Sequence, residues 1–339
     1  MDLNQLFEIQ KKLVPDLVEK MYRRFQILTA IETFQPIGRR ALSESVSLSE
    51  RILRTETEIL KSQGLILITS KGMSVTDSGV EVIEEMKASM NSLTRLEHIA
   101  CAIESRYSIR KVIVVSGDSD IEDETKVRMG QATSEYLESC FEDGMNMTVT
   151  GGSTMAHVAR AMRPSDKEIT FIPARGGLGE DVSYQANAIT HLMADQTGGK
   201  FEVLYVPDQL SEAGYNALLK EPSVMRVLQH IKSAQIVLHG IGAAFTMAKR
   251  RNTSEDVLMQ LDEEKAVAEA FGYYFDADGN IIHRVNTIGI HLEDLTEDKD
   301  IIAVAGGTSK KEAIASYLKI APKHTVLVTD SVVGEWLIN

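Results

Sequence analysis

The chain has 339 residues, 43% of them hydrophobic and 25% charged, which suits a protein of more than one domain with a sizeable core. No apolar run approaches the roughly 18 residues of a membrane span, and the charged start MDLNQLFEIQKKL is unlike a secretory signal, so no membrane partner is expected. Two cysteines, Cys101 and Cys140, are too few for a disulfide framework and point to reduced thiols in the cytoplasm. The net charge of −13 argues against a nucleic-acid partner for the whole chain, yet Lys20–Lys71 holds nine Lys/Arg against five Glu, a window of +4 on a remainder of −17. A basic head on an acidic body fits a DNA-binding module joined to an unrelated domain.

In chain order, Leu3 to Ala30 reads as helix with Leu6, Leu13, Leu17 and Met21 on one side, divided in two by Pro15. Phe25, Leu28, Ala30 and Ile31 continue the spacing until Pro36 and Gly38 end it. A short helix from Arg39 to Val46 and a turn at Ser47 follow. Ser49 then caps a third helix, with Ile52, Leu53, Ile59 and Leu60 inward, that stops at Gly64. LILITSKGMSVTDSG alternates about Lys71-Gly72 and predicts a hairpin. Three helices and a hairpin make a winged helix-turn-helix domain over residues 1–89, with the helix-turn-helix at about 37–56.

From Val80 to Glu104 the apolar residues Ile83, Met86, Met90 and Leu93 recur at helical spacing, suited to packing against another helix of the same chain or of a partner. Beyond Arg110 the periodicity changes. Apolar runs at Val112–Val115, Met147–Val149, Ile169–Ile172, Val203–Val206, Ile236–Leu238, Ile301–Ala305 and Thr325–Val328 are mostly separated by helix-length amphipathic stretches. That alternation predicts a doubly wound α/β domain over residues 90–339, with a second hairpin at Ile281–His291.

Two sets of residues carry chemistry. In the helix-turn-helix, Ser49, Arg51, Arg54 and Thr55 occupy the first turns of the recognition helix, where arginine can grip guanine O6 and N7. Arg39, Arg40 and Lys71 suit backbone phosphates. The bland alternative is a solvated charged face or a protein-binding winged helix. In the α/β domain, VTGGSTMAHVARAM runs from strand through Thr150, Gly151, Gly152, Ser153 and Thr154 into helix, so that unpaired amides and two hydroxyls face an anion. A tight turn would leave the same string. PARGGLGED sets Arg175 after a buried strand, and AVAGGTSKKEAI repeats the strand, glycine and helix pattern with Lys310 in the first turn, where a lysine opposes the helix dipole unless an anion is near. Arg250 and Arg251 add a further basic contribution, or are simply an exposed loop pair.

The eight histidines show no metal-ligand spacing, no Gly-x-Ser-x-Gly elbow is present, and His239 at a strand end reads as hydrogen-bonded structure. Neither a metal nor a cofactor is expected.

The motifs TGGST, PARGG, HGIG, AVAEAFGYYFDADG and AGGTSKKEAI, in this order behind a winged helix, resemble the SorC/DeoR family of sugar-responsive bacterial repressors over essentially the full length. The resemblance implies a C-terminal domain similar to the glucosamine-6-phosphate deaminase and ribose-5-phosphate isomerase fold, operator DNA as partner, homo-oligomers from dimer to tetramer, and repression of central glycolytic genes relieved by a phosphorylated sugar, fructose 1,6-bisphosphate. One phosphate is then expected at Gly151–Thr154 with Lys310 and the other at Arg175, Arg250 and Arg251, with Gln185 and Glu269 on sugar hydroxyls. The deaminase pattern around GIG continues with acidic and histidine residues that transfer protons, whereas this chain has Ala243, Ala244 and Phe245, which cannot move protons. A repressor is the reading these residues favour; the alternative is a sugar-phosphate isomerase or deaminase with a fused regulatory head.

Overall fold

A computed structural model describes residues 13, 15–46, 48–177 and 181–339; the expected helix before Leu13, the turn at Ser47 and Gly179 lie outside them. The chain divides into two compact units, residues 1–95 and 96–339.

In the first unit, helix α1 (Pro15–Phe34), helix α2 (Arg39–Ser45) and helix α3 (Glu50–Ser62) precede a hairpin of β1 (Ile66–Thr69) and β2 (Gly72–Val75). Pro15 stands at the start of α1, where its missing amide hydrogen costs nothing. Ser49 caps α3 by accepting from the Ile52 amide at 3.4 Å, as its position predicts. The core joins Ile27, Leu28, Ile31, Leu42, Leu53, Leu60, Ile66, Met73 and Ile83. Ile52 and Ile59 depart from expectation: Ile52 is 40% exposed and Ile59 half-buried, because Leu53, Glu56, Thr57 and Leu60 take the inward stripe of α3. Glu56 is buried through pairing with Arg24 at 2.7 Å and Arg23 at 3.8 Å, which ties α1 to α3. Helix α4 (Asp77–Tyr107) contributes Ile83 to this core and Ile99 and Ile103 to the core of the second unit.

The second unit is built on a seven-stranded parallel sheet. Its strands are β3 (Lys111–Val115), β4 (Asn146–Val149), β5 (Thr170–Pro173), β6 (Lys200–Phe201), β7 (Ile236–His239), β12 (Asp300–Val304) and β13 (Val326–Asp330), in the order β3-β13-β12-β7-β4-β5-β6. Between them run α5 (Asp123–Cys140), α6 (Ser153–Ala161), α7 (Ala186–Thr197), α8 (Glu212–Leu218), α9 (Pro222–Ser233), α10 (Ala244–Arg250), α11 (Glu255–Glu263) and α12 (Lys311–Ile320), and α13 (Ser331–Ile338) closes the chain. The central strands are largely apolar because two separate cores, one on each face, bury both sides.

Two sequence expectations change. Val203–Val206 forms no strand: pairing ends at Phe201, and the segment instead lies along the loop after β5, where Gly177 donates to the Val206 carbonyl at 3.1 Å. Its apolar residues Leu204 and Val206 are there for burial. The stretch Ile281–His291 supplies only one strand, β11 (Ile281–Arg284), which pairs with β10 (Tyr273–Phe275) at the edge of a small antiparallel sheet continued by β9 (Ala268–Ala270) and β8 (Gly242–Ala243). The rest of it returns beside β5, Ile290 donating to the Ala174 carbonyl at 2.8 Å.

Candidate functional site: an anion-binding cavity and a recognition helix

A cavity of about 240 Å³ opens at the carboxyl ends of β4, β5, β7 and β12, the edge where parallel sheets hold ligands. Thr150, Gly151, Gly152, Ser153, Thr154, Arg175, Gln185, Arg250, Arg251, Glu269 and Lys310 all line it. Residues scattered over 160 positions of sequence thus meet because the parallel crossovers bring each strand's carboxyl end to one rim.

The corner after β4 is an open helix terminus. Gly152 sits at φ +128°, a conformation a side chain rarely adopts, and no side chain caps α6. The amides of Ser153, Thr154 and Met155 fall in the first turn, where the helix offers them no acceptor. Two members of the loop are already engaged: Gly152 donates to the Tyr184 carbonyl at 2.8 Å, and the Thr150 hydroxyl accepts from Gly240 at 3.2 Å. A β-carbon at Gly151 would lie 2.8 Å from the Tyr184 carbonyl, so the approach of this loop excludes any larger residue.

The Gly306–Lys310 loop does not repeat that cradle, contrary to its sequence. Its amides are consumed internally: Gly307 donates to Asp330 at 2.6 Å, Thr308 to Asp118 at 3.3 Å and Ser309 to Asp120 at 2.7 Å. What reaches the cavity is Ser309 and the half-buried Lys310. Burial lowers the Lys310 pKa, Asp120 opposes that, and Arg250 and Lys126 reinforce it, so Arg250 lies within electrostatic reach of Lys310.

The expected trio Arg175, Arg250 and Arg251 is therefore divided. Arg251 is enclosed, donating to Asp208 at 2.9 Å, Glu269 at 2.8 Å and the Tyr274 hydroxyl at 2.9 Å, with no side-chain exposure. Each of its three guanidinium nitrogens is thus already engaged with a protein partner. Glu269 is likewise committed through Oε1, which accepts from Arg251, from Arg175 at 3.3 Å and from the Gly272 amide at 2.7 Å. Burial would raise its carboxyl, but Arg251 and then Arg175 outweigh that and hold it below the usual range. Arg175 differs. Its side chain is 9% exposed, yet among the described residues Nε and Nη2 donate no hydrogen bond. Gln185 is the residue just before α7, its amide oxygen facing Gly177.

His239 is structural, as its position predicts. Burial pushes its pKa down to about 4, and it stays neutral between the Tyr317 hydroxyl at 3.0 Å and the Phe271 ring. Among the described residues no cluster has the composition to hold a metal, and no helix is long and apolar enough to cross a membrane.

Sequence reasoning missed Asp208, Tyr274 and the trio Asp118, Asp120 and Asp330. Asp118, Asp120 and Asp330 had a usable signal, since GDSD and VTD put aspartates at the carboxyl ends of β3 and β13. Asp208 follows an apolar segment in no motif.

In the first unit Arg39, Arg40, Ser49, Arg51, Arg54, Thr55 and Lys71 are all exposed. Arg51 and Thr55, four apart, stand on the face of α3 opposite Leu53, Glu56 and Leu60, and Arg54 flanks them. Lys71 lies at the turn between β1 and β2.

Residues 91–339 match a sugar-binding domain family and residues 20–90 match the CggR N-terminal DNA-binding domain. The chain is 46% identical over 339 residues to the central glycolytic genes regulator of Bacillus subtilis and 42% identical over 340 to that of Priestia megaterium, each alignment covering 99% of both chains. A solved SorC family transcriptional regulator from Enterococcus faecalis, 41% identical, superposes at a TM-score of 0.68 over 71% of this chain and all of that one. The full-length sorbitol operon regulator SorC of Klebsiella pneumoniae shares the fold at 16% identity, with a TM-score of 0.66 over 90% of this chain and 95% of its own. The chain belongs to the SorC/DeoR-type family of sugar-responsive transcriptional regulators, with a DNA-binding domain of the CggR type, and is a regulator rather than an enzyme.

Proposed function

We propose that this regulator represses central glycolytic genes and is released from its operator by fructose 1,6-bisphosphate. The observation that carries the effector is a cavity with two distinct anion corners. One is the uncapped start of α6 with Lys310 and Arg250 at hand, and the other is Arg175, whose Nε and Nη2 donate no hydrogen bond among the described residues, Nη2 being ion-paired with Asp208. A hexose with an ester at each end supplies an anion to both corners and hydroxyls to Gln185 and Glu269 Oε2 between them. Arg251 then acts by holding Glu269 and Asp208, not by touching phosphate. The names of the full-length relatives in Bacillus subtilis and Priestia megaterium support the choice of target genes.

Arg51, Arg54 and Thr55 would read bases, with Ser49, Arg39, Arg40 and Lys71 on the backbone, in a DNA-binding head of residues 1–89. Residues 90–339 would bind effector and form dimers or tetramers in the cytoplasm. The effector acts only by binding one subunit arrangement better than another.

Calorimetric titration with fructose 1,6-bisphosphate, fructose 6-phosphate and fructose tests the ligand. The bisphosphate should bind at least tenfold more tightly than the monophosphate, and the free sugar not at all. It should also displace the protein from promoter DNA in a gel shift. Equal affinity for mono- and bisphosphate, or displacement by neither, overturns the reading.

A further inference from the structure

Four ionised side chains, Arg175, Asp208, Arg251 and Glu269, are buried together against the wall of the cavity, two of each sign. Such a set is stable only when each charge is paired and its hydrogen-bonding capacity used. Arg251 has a hydrogen-bonded partner at each of its three nitrogens. Arg175 does not. Its Nη2 forms an ion pair with Asp208 Oδ1 at 2.5 Å without a directed hydrogen bond, and among the described residues its Nε has no acceptor. Asp208 Oδ2 is meanwhile fixed by Arg251 Nε at 2.9 Å, and its own amide donates to the Gly177 carbonyl at 3.1 Å. The carboxylate is therefore shared between the two arginines, and of these Arg175 lines the cavity with an Nε that has no acceptor among the described residues.

We propose that Asp208 is a positioning residue that stands in for the ligand: it holds the Arg175 guanidinium by charge while the cavity is empty and yields it to the anionic group of the effector, so that it sets how tightly anions bind. The inference rests on the phosphosugar reading above. The buried set is neutral as it stands, so an anion arriving at Arg175 gains hydrogen bonds but little net attraction, and Asp208 competes for the same donors. Removing the carboxylate charge while keeping an oxygen for Arg251 leaves the set at +1 and ends the competition. Affinity for anions should rise. A residue that merely supports the wall would do the reverse when changed, weakening every ligand alike.

The test is Asp208→Asn in the full chain, titrated with fructose 1,6-bisphosphate and fructose 6-phosphate at low and physiological salt, with folding followed by thermal melting. The variant should bind the bisphosphate about three- to tenfold more tightly, gain less for the monophosphate, and show a steeper loss with salt, as an added interacting charge requires. Asp208→Glu should stay near the original affinity. Unchanged or weaker binding of the bisphosphate by a folded Asp208→Asn protein overturns the proposal and leaves the phosphosugar reading standing. No binding of either sugar by the unaltered chain removes both. Should the variant not fold, the unaltered chain decides: the Nε–H resonance of Arg175 should shift on saturation with bisphosphate while that of Arg251 holds. A shift of Arg251 with Arg175 unmoved overturns the proposal.

Discussion

Replacing Arg251 by methionine is the most demanding test of the buried ion set. Methionine has a similar length and no charge, so the packing against Tyr274 is largely retained. Asp208 loses a partner at 2.9 Å and Glu269 one at 2.8 Å, and two carboxylates then share Arg175 alone. Breaking a buried pair by deleting one partner costs about 3–5 kcal/mol, because the charge left behind is unpaired. For a domain the size of the second unit, where 1 kcal/mol moves the melting point by about 2–4 °C, the loss is roughly 6–20 °C. Differential scanning calorimetry should assign it to the second unit only. The deficit also has a pH signature. In the native chain the Glu269 pKa lies below its ordinary 4.5, against its burial, through Arg251 and then Arg175, so its contribution is present above that value and is lost as pH falls through the folded one. In the variant a carboxylate is left desolvated with its pKa raised, so it folds best when protonated. The deficit should shrink as pH falls through and below 4.5 and widen as pH rises. A melting-point loss under about 2 °C, or one equal at every pH, would refute the reasoning.

Glu56→Gln should destabilise the first unit by about 1–2 kcal/mol in denaturant unfolding, since it strips the charge from the buried link to Arg24 and Arg23; no change would mean that solvent already screens the link. Gly152→Ala forces a side chain onto a backbone at φ +128°, a strain of about 1–3 kcal/mol, and should weaken bisphosphate binding at least tenfold; undiminished affinity would remove the start of α6 from the site. Arg51→Ala should cost about 1–3 kcal/mol of discrimination between operator and random DNA, whereas Lys71→Ala should weaken both alike and lower the salt slope by about 1. Because burial lowers the Lys310 pKa, bisphosphate affinity should fall with rising pH before an ordinary lysine at 10.5 would deprotonate, and Lys310→Arg should flatten that decline; a flat profile in the unaltered chain would refute Lys310 as a contact.

Local signals made much of the architecture readable. Ser49 as a cap, Gly64 at positive φ after α3, and the alternation about Lys71-Gly72 each encode an element boundary in a few residues. Six of the seven apolar runs are strands because a parallel strand buried on both faces must be apolar along its length. Val203–Val206 was misleading for the same reason, since burial in a core also demands apolar residues and does not require pairing.

The composition of the cavity rim was likewise legible, because glycine loops after strands and a lysine at a helix start are local misfits that an anion resolves. How those residues are used was not. Two loops of like sequence, TGGST and GGTSK, meet different surroundings: the first keeps its helix amides open, the second surrenders them to Asp330, Asp118 and Asp120. Arg250 and Arg251 are neighbours in sequence and both line the cavity, yet Arg251 is tied at every guanidinium nitrogen to Asp208, Glu269 and Tyr274. The sequence alone determined which elements form and which residues gather at the carboxyl edge of the sheet, since both follow from short-range patterns and the handedness of parallel crossovers. Only the tertiary structure decided which donors remain available to a ligand, because hydrogen-bonding capacity is spent on partners that lie far away along the chain.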